Sequence, residues 1–369
     1  MRFWGITGTN GKTTTAWILA EFLAAAPGRR PGYITTVEAF DGKERFHTGY
    51  TTPPLAKLRE LYASMEANGC TDCVMEVSSH AIHQDRVGFG TVTTFSGGAF
   101  TNLTEDHLDY HKTMEEYFRV KLSFAERIAA SSPGAPYVVC TDGGCGREML
   151  DAVRVLPLDV IEATIERPAF DLSGLKLAGD YNKSNVLVAA ALAEASGVTR
   201  EAIQSVIPTL TPRWGRLELV ENPNVRAKVY VDFAHTPDGL GKVLSAARAF
   251  TPSGGRLWVV FGAGGDRDPM KRPLMGAACA RNADVLVVTS DNPRSEDPMA
   301  IIGQILEGVD APSDRVMVEP DRAKAIALAL GGAGADDVVI IAGKGHETTQ
   351  EIKGVKIPFD DREVVRKFI

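Results

Sequence analysis

Lys12 and Thr13 close the run Gly5-Ile-Thr-Gly8-Thr9-Asn10-Gly11-Lys12-Thr13-Thr14, and this order of residue types suits the holding of phosphate. Backbone N–H groups of a glycine-rich turn, with the N-terminus of a following helix, form a cradle for anions. Lys12 adds a mobile positive charge for the outer phosphates, and the Thr13 hydroxyl can reach a magnesium ion. The spacing is G-x-x-G-x-x-G-K-T, so the first glycine falls one place earlier than in the usual loop. Glu76 ends the apolar run from Cys73, where a carboxylate can hold magnesium on ATP phosphates. His107-Leu-Asp109-Tyr-His111 has the spacing of a zinc motif. Beside a nucleotide loop a hard cation is the better reading, with His111 structural. Lys121 reads by itself as a solvated lysine, and Arg86 is ambiguous. Asp232 ends an apolar run, as a ribose-binding carboxylate does. Arg294, in Asp291-Asn292-Pro-Arg294, is either a surface charge or a fork for a carboxylate. Gly343-Lys-Gly-His-Glu347 is a turn or a site, its glycines permitting close backbone approach.

Elements must place these groups. The apolar runs at 3–6, 32–37, 73–77, 91–95 and 136–140 read as strands. Helices are predicted over about 13–25, 55–68, 114–128 and 182–195, with 141–177 weakly patterned. A second cycle follows Thr211-Pro212, with strands at 229–232, 257–262, 284–289 and 338–342, each ending in a polar cluster. Strands alternating with helices predict a doubly wound parallel sheet, with ligands at the carboxyl ends of its strands. We therefore expect two α/β domains, 1–212 binding ATP and 213–369 a second Rossmann-like unit.

The 369 residues allow two or three domains. A formal charge of −7 argues against broad nucleic-acid binding. No apolar run is long enough for a membrane span and no signal peptide is visible, so a cytoplasmic protein is expected. Five sparse cysteines read as reduced thiols.

In this order the motifs resemble the Mur ligase family, ATP-dependent amide-forming enzymes of cell-wall peptide assembly, and within it the diaminopimelate-adding branch. The carriers are the phosphate loop, Thr51-Thr52-Pro, Met75-Glu-Val-Ser-Ser-His80, Asn102 to His111 and Asn182-Lys-Ser-Asn185. They continue with Gly215-Arg-Leu-Glu218, Asp232 to Asp238, Gly265-Asp-Arg-Asp268, Asp291 to Arg294 and Gly343 to Glu347. The resemblance implies ATP and Mg2+ as cofactors. Gly8 to Thr14 would bind ATP, and Thr13, Glu76 and His107 would serve the metal with Lys121, which would be carbamylated. Thr51, Thr52, Ser78 and Arg86 would touch a muramoyl dipeptide-type acceptor. Asn182, Asn185, Arg216 and Asp232 would hold adenosine or couple the domains. Arg267, Asp291, Asn292, Arg294, Gly343 and Glu347 would hold meso-diaminopimelate. Members of this branch carry a preceding domain that grips uridine diphosphate, whereas here the phosphate loop begins at once. That leaves open a non-nucleotide acceptor, or a partner protein in that domain's place. The alternatives are a folylpolyglutamate-synthetase-like ligase and a non-catalytic ATP-binding paralogue.

Overall fold

The computed structural model describes residues 1–369, with the side chain of Asp109 outside the described part. It divides into two compact units, Met1–Thr211 and Pro212–Ile369. No helix is long and apolar enough to cross a membrane.

The first unit is an eight-stranded sheet. Its strands are β1 (Arg2–Thr7), β2 (Pro31–Ile34), β3 (Ala39–Phe40), β4 (Arg45–Phe46), β5 (Asp72–Glu76), β6 (Phe95–Phe100), β7 (Pro136–Cys140) and β8 (Asp159–Ala163). Their order is β4-β3-β2-β5-β1-β6-β7-β8. β1 lies between β5 and β6, parallel to both, with Ile6 opposite Glu76 and Thr7 opposite Phe100. The sheet is parallel except at the edge where β3 pairs antiparallel with β2 and β4; helices cover the faces of its parallel part, so every residue of β5 is buried, including Asp72 and Glu76 at its two ends. The helix Met114–Ser131 starts at Thr113, whose hydroxyl accepts from Glu116 N. Glu115 and Glu116 complement the helix N-terminus. Its buried face carries Phe124, packed edge-on against Phe95 at 5.2 Å between ring centres. Truncating Phe124 to Ala would cost about 3–5 kcal/mol.

β6 differs from the expected strand at 91–95: it runs over Phe95-Ser-Gly-Gly-Ala-Phe100. Glycines weaken strand propensity, which hides it in the sequence. Here they are required by close approach, since a Cβ on Gly98 would stand 2.7 Å from Ile128 and one on Gly97 would stand 2.9 Å from Trp4. β2 also stops at Ile34 rather than at Val37. The weakly patterned stretch contains the helix Gly146–Val153 and β8.

The second unit has strands β9 (Glu218–Val220), β10 (Lys228–Asp232), β11 (Leu257–Phe261), β12 (Val285–Val288), β13 (Val316–Val318) and β14 (Val338–Ala342). Their order is β13-β12-β11-β14-β10-β9, parallel except for β9 at one edge. β11, β12 and β14 are fully buried. The loops leaving their carboxyl ends are 262–268, 289–294 and 343–347. A two-stranded hairpin, β15 (Thr349–Ile352) and β16 (Val355–Pro358), follows the last of them.

Candidate active site

In the first unit the turn after β1 adopts two left-handed or extended glycine conformations, Gly8 at φ 148° and Gly11 at φ 86°. A Cβ on Gly8 would lie 1.9 Å from Thr101 Oγ1, and one on Gly11 would lie 2.3 Å from Asn185 Oδ1. Glycine at both positions is what lets Thr101 and Asn185 pack directly on the turn. The loop after β6 clasps this turn. Thr9 N donates to Asn102 O at 2.8 Å, Asn10 N to Asn102 Oδ1 at 2.9 Å, and Thr101 Oγ1 to Asn10 O at 2.6 Å. The helix Lys12–Ala24 begins at once, with Thr14 half-buried in its first turn. Lys12 Nζ curls over the turn, donating to Gly8 O at 3.0 Å and Thr9 O at 2.8 Å.

Glu76 is 1% exposed. Its Oε1 accepts from Thr13 Oγ1 and Thr36 N, both at 2.7 Å, and its Oε2 from Thr36 Oγ1 at 3.2 Å. The register of β1 on β5 brings these groups together. Thr51 joins them through Thr36 Oγ1 at 2.9 Å. Thr52 Oγ1 donates to Glu76 O at 2.8 Å and accepts from Ser78 N at 3.0 Å. Arg86 stays apart, its Nε donating to Gln84 at 2.7 Å.

Lys121 is not a solvated lysine. It is 1% exposed, and its Nζ donates to Gly8 O at 2.7 Å and lies 4.7 Å from the Tyr117 ring centre. Burial, and then the Lys12 charge, push its pKa well below the usual lysine range. A signal for this was readable: Tyr117, Lys121, Phe124, Ala125 and Ile128 form one helical stripe, all buried. Tyr117 OH lies 3.1 Å from Thr9 Oγ1, linking that stripe to the phosphate turn.

His107 sits at φ 57° beside Asp106, Nε2 to Oδ2 being 3.4 Å. Burial lowers its pKa, Asp106 opposes, and Lys12 adds to the lowering, so the imidazole is neutral with a lone pair to give. His111 is fully buried, bonded to Ser79 Oγ at 2.9 Å and stacked on Tyr117. Among the described residues no group of three or more His, Cys, Asp or Glu side chains is arranged to hold a metal ion. Asn182 and Asn185 lie on the helix Asp180–Ala195. Asn185 Oδ1 accepts from Thr15 Oγ1 at 3.2 Å, and Asn185 Nδ2 donates to Asn182 Oδ1 at 3.4 Å.

The second unit gathers a separate cluster. Lys344 is fully buried, and its Nζ donates to Asn292 Oδ1 at 3.1 Å and Glu347 Oε2 at 2.8 Å. Asn292 Nδ2 donates to the same Glu347 oxygen at 2.9 Å. Lys344 is the member that sequence reasoning passed over, although it lies inside the Gly343–Glu347 motif. Asp291 Oδ1 accepts from Asn292 N at 2.7 Å, while its buried Oδ2 has no hydrogen-bond partner among the described residues. Arg294 stands at φ 52°, its Nη1 donating to Gly265 O at 2.7 Å and its Nε 3.7 Å from Glu351. Arg267 is exposed, its Nη1 donating to Asp266 O at 3.1 Å. Asp232 accepts from Leu217 N at 2.7 Å and Ala234 N at 2.8 Å. Its pKa is raised by burial, with the Arg216 charge opposing. Arg216 lies over the Phe233 ring at 4.8 Å.

Residues 6–174 match the Mur ligase middle domain, and residues 215–345 match the Mur ligase, glutamate ligase domain. The UDP-N-acetylmuramoyl-L-alanyl-D-glutamate–2,6-diaminopimelate ligase 1 of Clostridium acetobutylicum is 38% identical, over 99% of this chain and 77% of that protein. The ligase of that name from Chromobacterium violaceum is 40% identical, over 98% of this chain and 76% of that protein. A solved diaminopimelate ligase of this name superposes with a TM-score of 0.62 at 31% identity, covering 99% of this chain and 77% of that one. A Mycobacterium tuberculosis folylpolyglutamate synthase gives 0.65 at 19% identity, over 93% of this chain and 88% of that one, a likeness of fold alone. With two family domains in order and near-complete coverage by such relatives, the chain belongs to the Mur ligase family.

Proposed function

We propose that the protein is an ATP-dependent carboxylate–amine ligase that adds meso-diaminopimelate to a muramoyl-L-alanyl-D-glutamate-type acceptor. The observation that carries the reaction class is one constellation. The buried Glu76 carboxylate holds the Thr13 hydroxyl beside the Lys12 turn, and Lys121 reaches the same turn through Gly8 O. The amine and acceptor follow the printed activity of the relatives.

In this reading the acceptor carboxylate attacks the γ-phosphate of ATP, giving an acyl phosphate and ADP. The amine then displaces phosphate and the amide forms. The glycine-rich turn, the N-terminus of the helix that follows it and the ammonium of Lys12 receive the phosphates. Thr13 and Glu76 offer the hard oxygen donors that magnesium takes alongside substrate phosphates, and neutral His107 offers a nitrogen. Magnesium, when bound, would neutralise charge on the transferring phosphoryl group. Burial, which lowers the Lys121 pKa, favours the amine form whose lone pair adds to carbon dioxide; loss of one proton leaves a carbamate anion. Thr51, Thr52 and Ser78, gathered around Glu76, orient the acceptor. In the first unit Asn182 and Asn185 serve the adenosine end. In the second unit Glu347 and Asn292 read the far ammonium and carboxylate of diaminopimelate, and Arg294 offers its guanidinium to one carboxylate, with Asp291, Arg267 and Gly343 around them.

The test is phosphate release and amide formation with ATP and magnesium, using diaminopimelate, lysine and ornithine on acceptors with and without the uridine diphosphate group. Diaminopimelate should be the preferred amine. Equal or better use of lysine would overturn the amine assignment, and no amide with any pair would overturn the reaction class.

A further inference from the structure

The two largest fully buried side chains of the protein are arginines, Arg272 and Arg322. Arg322 opens the helix Arg322–Gly332, and its partner Asp361 opens the helix Asp361–Arg366. Both side chains are 0% exposed. The guanidinium grips the carboxylate with two bonds, Nε to Oδ1 and Nη2 to Oδ2, each 2.7 Å. Its other donors go to two backbone carbonyls, Nη1 to Ser290 O at 3.3 Å and Nη2 to Ala342 O at 2.9 Å.

Those carbonyls are not arbitrary. Ser290 directly precedes Asp291–Arg294, and Ala342 directly precedes Gly343–Glu347. One guanidinium therefore ties the roots of both loops that carry Asn292, Lys344 and Glu347. The loops approach closely above it: a Cβ on Gly343 would stand 2.5 Å from Asp291 Oδ2 and 4.0 Å from Arg322 Nη2. The next residue, Arg362, reaches the second loop again, its Nη2 lying 3.4 Å from His346 O.

Stability alone does not call for this pair. Burying two charges carries a desolvation penalty that their attraction often fails to exceed, and well-packed apolar residues do as well or better. What an apolar pair cannot do is donate to two carbonyls on separate strands. We propose that Arg322, oriented by Asp361, is a positioning residue for the amine-binding loops. It sets the separation of 291–294 from 343–347, and with it the affinity for the incoming amino acid. The inference rests on reading those loops as the amine site.

Two variants test it, each measured for thermal midpoint, kcat, and KM for ATP and for the amine. Arg322→Lys keeps a charge against Asp361 but lacks the fork, so it reaches at most one carbonyl. Losing one such bond should raise the amine KM about fivefold, with the ATP KM within about twofold of the wild type. The paired variant Arg322→Met with Asp361→Leu should melt close to the wild type, because no buried charge is left unpaired. Its amine KM should nevertheless rise about tenfold or more, both carbonyl contacts being gone. A merely structural role predicts the opposite: recovered stability with a recovered KM, or losses that only track the folded fraction. An unchanged amine KM in folded Arg322→Lys would overturn the proposal. The comparison is made with whichever amine the wild type uses. Use of another amine would therefore sink the diaminopimelate assignment and leave the Arg322 result decisive. A wild type that uses no amine ends both.

Discussion

Glu76→Gln separates a structural strap from a metal ligand. The carboxylate accepts three hydrogen bonds at a site that is 1% exposed. A glutamine with its oxygen on the Oε1 side keeps the two 2.7 Å bonds from Thr13 and Thr36 N. Its NH2 then faces Thr36 Oγ1, which can accept. Every contact survives in neutral form. Bonds to a charged acceptor contribute about 1.5–3 kcal/mol and neutral ones about 0.5–1.5 kcal/mol, so over three bonds the fold should lose about 3–4 kcal/mol. Magnesium is a different matter. Removing one negative charge from beside a divalent cation forfeits at least the ~4 kcal/mol of a unit-charge pair at an effective dielectric near 20, close to three decades. Half-saturating magnesium for ATP turnover should thus rise at least about a hundredfold, while a urea melt shows the loss of stability in a protein that still folds. ATP turnover at an unaltered magnesium requirement would refute the metal role. A protein that no longer folds would refute the claim that glutamine preserves the contacts.

Four further outcomes are expected. Lys12→Ala should abolish ATP turnover with the melting temperature nearly unchanged, because Lys12 is a half-buried side chain bonded to backbone carbonyls and not part of the core; wild-type turnover would count against the phosphate loop. Lys121→Ala should be inactive and regain part of its rate with short-chain carboxylic acids, which supply the anion; no difference from wild type in kcat would reject the carbamate. Arg294→Ala should lower kcat/KM for diaminopimelate about thirtyfold or more, the ~2 kcal/mol low end for removing one partner of a charge pair, since the side chain is 22% exposed; parallel assays with ATP varied should show little change. Asp72 is raised by burial but held lower overall by Arg29, Thr71 and Trp4. A depressed carboxylate stabilises the fold above its unfolded pKa of about 3.9, and that share is lost as pH falls through the folded value. Urea melts should therefore show the gap between wild type and Asp72→Asn closing in acid, and a gap that widens would contradict the sign.

The strand, turn and helix around Lys12 could be placed from the sequence because the signal is local: strand, glycines, lysine and helix follow one another along the chain. Lys121 illustrates a different case. Its burial is written in the helical stripe around it, but a lone charge on such a stripe is ordinarily read as solvated. β6 was hidden because glycine lowers strand propensity, and only the neighbouring Trp4 and Ile128 side chains explain why it must be there. The Arg322–Asp361 pair joins two helices far apart in sequence, and neither residue lies in a recognisable motif. The Arg86 placement shows the limit of carrying a role over by resemblance, since no contact joins it to the Thr52–Ser78 group among the described residues.

The central place of β1 between β5 and β6 bears on how the chain is made. The strand Arg2–Thr7 leaves the ribosome well before either neighbour, and both are available only once Phe100 has emerged. At roughly 5–20 residues per second, its apolar Phe3-Trp4-Gly5-Ile6 run waits on the order of 5–20 s for its second partner. Slower translation between Asp72 and Phe100 would lengthen that wait and increase the demand for chaperones. Yield in a chaperone-depleted host should fall most when rare codons are placed in that interval.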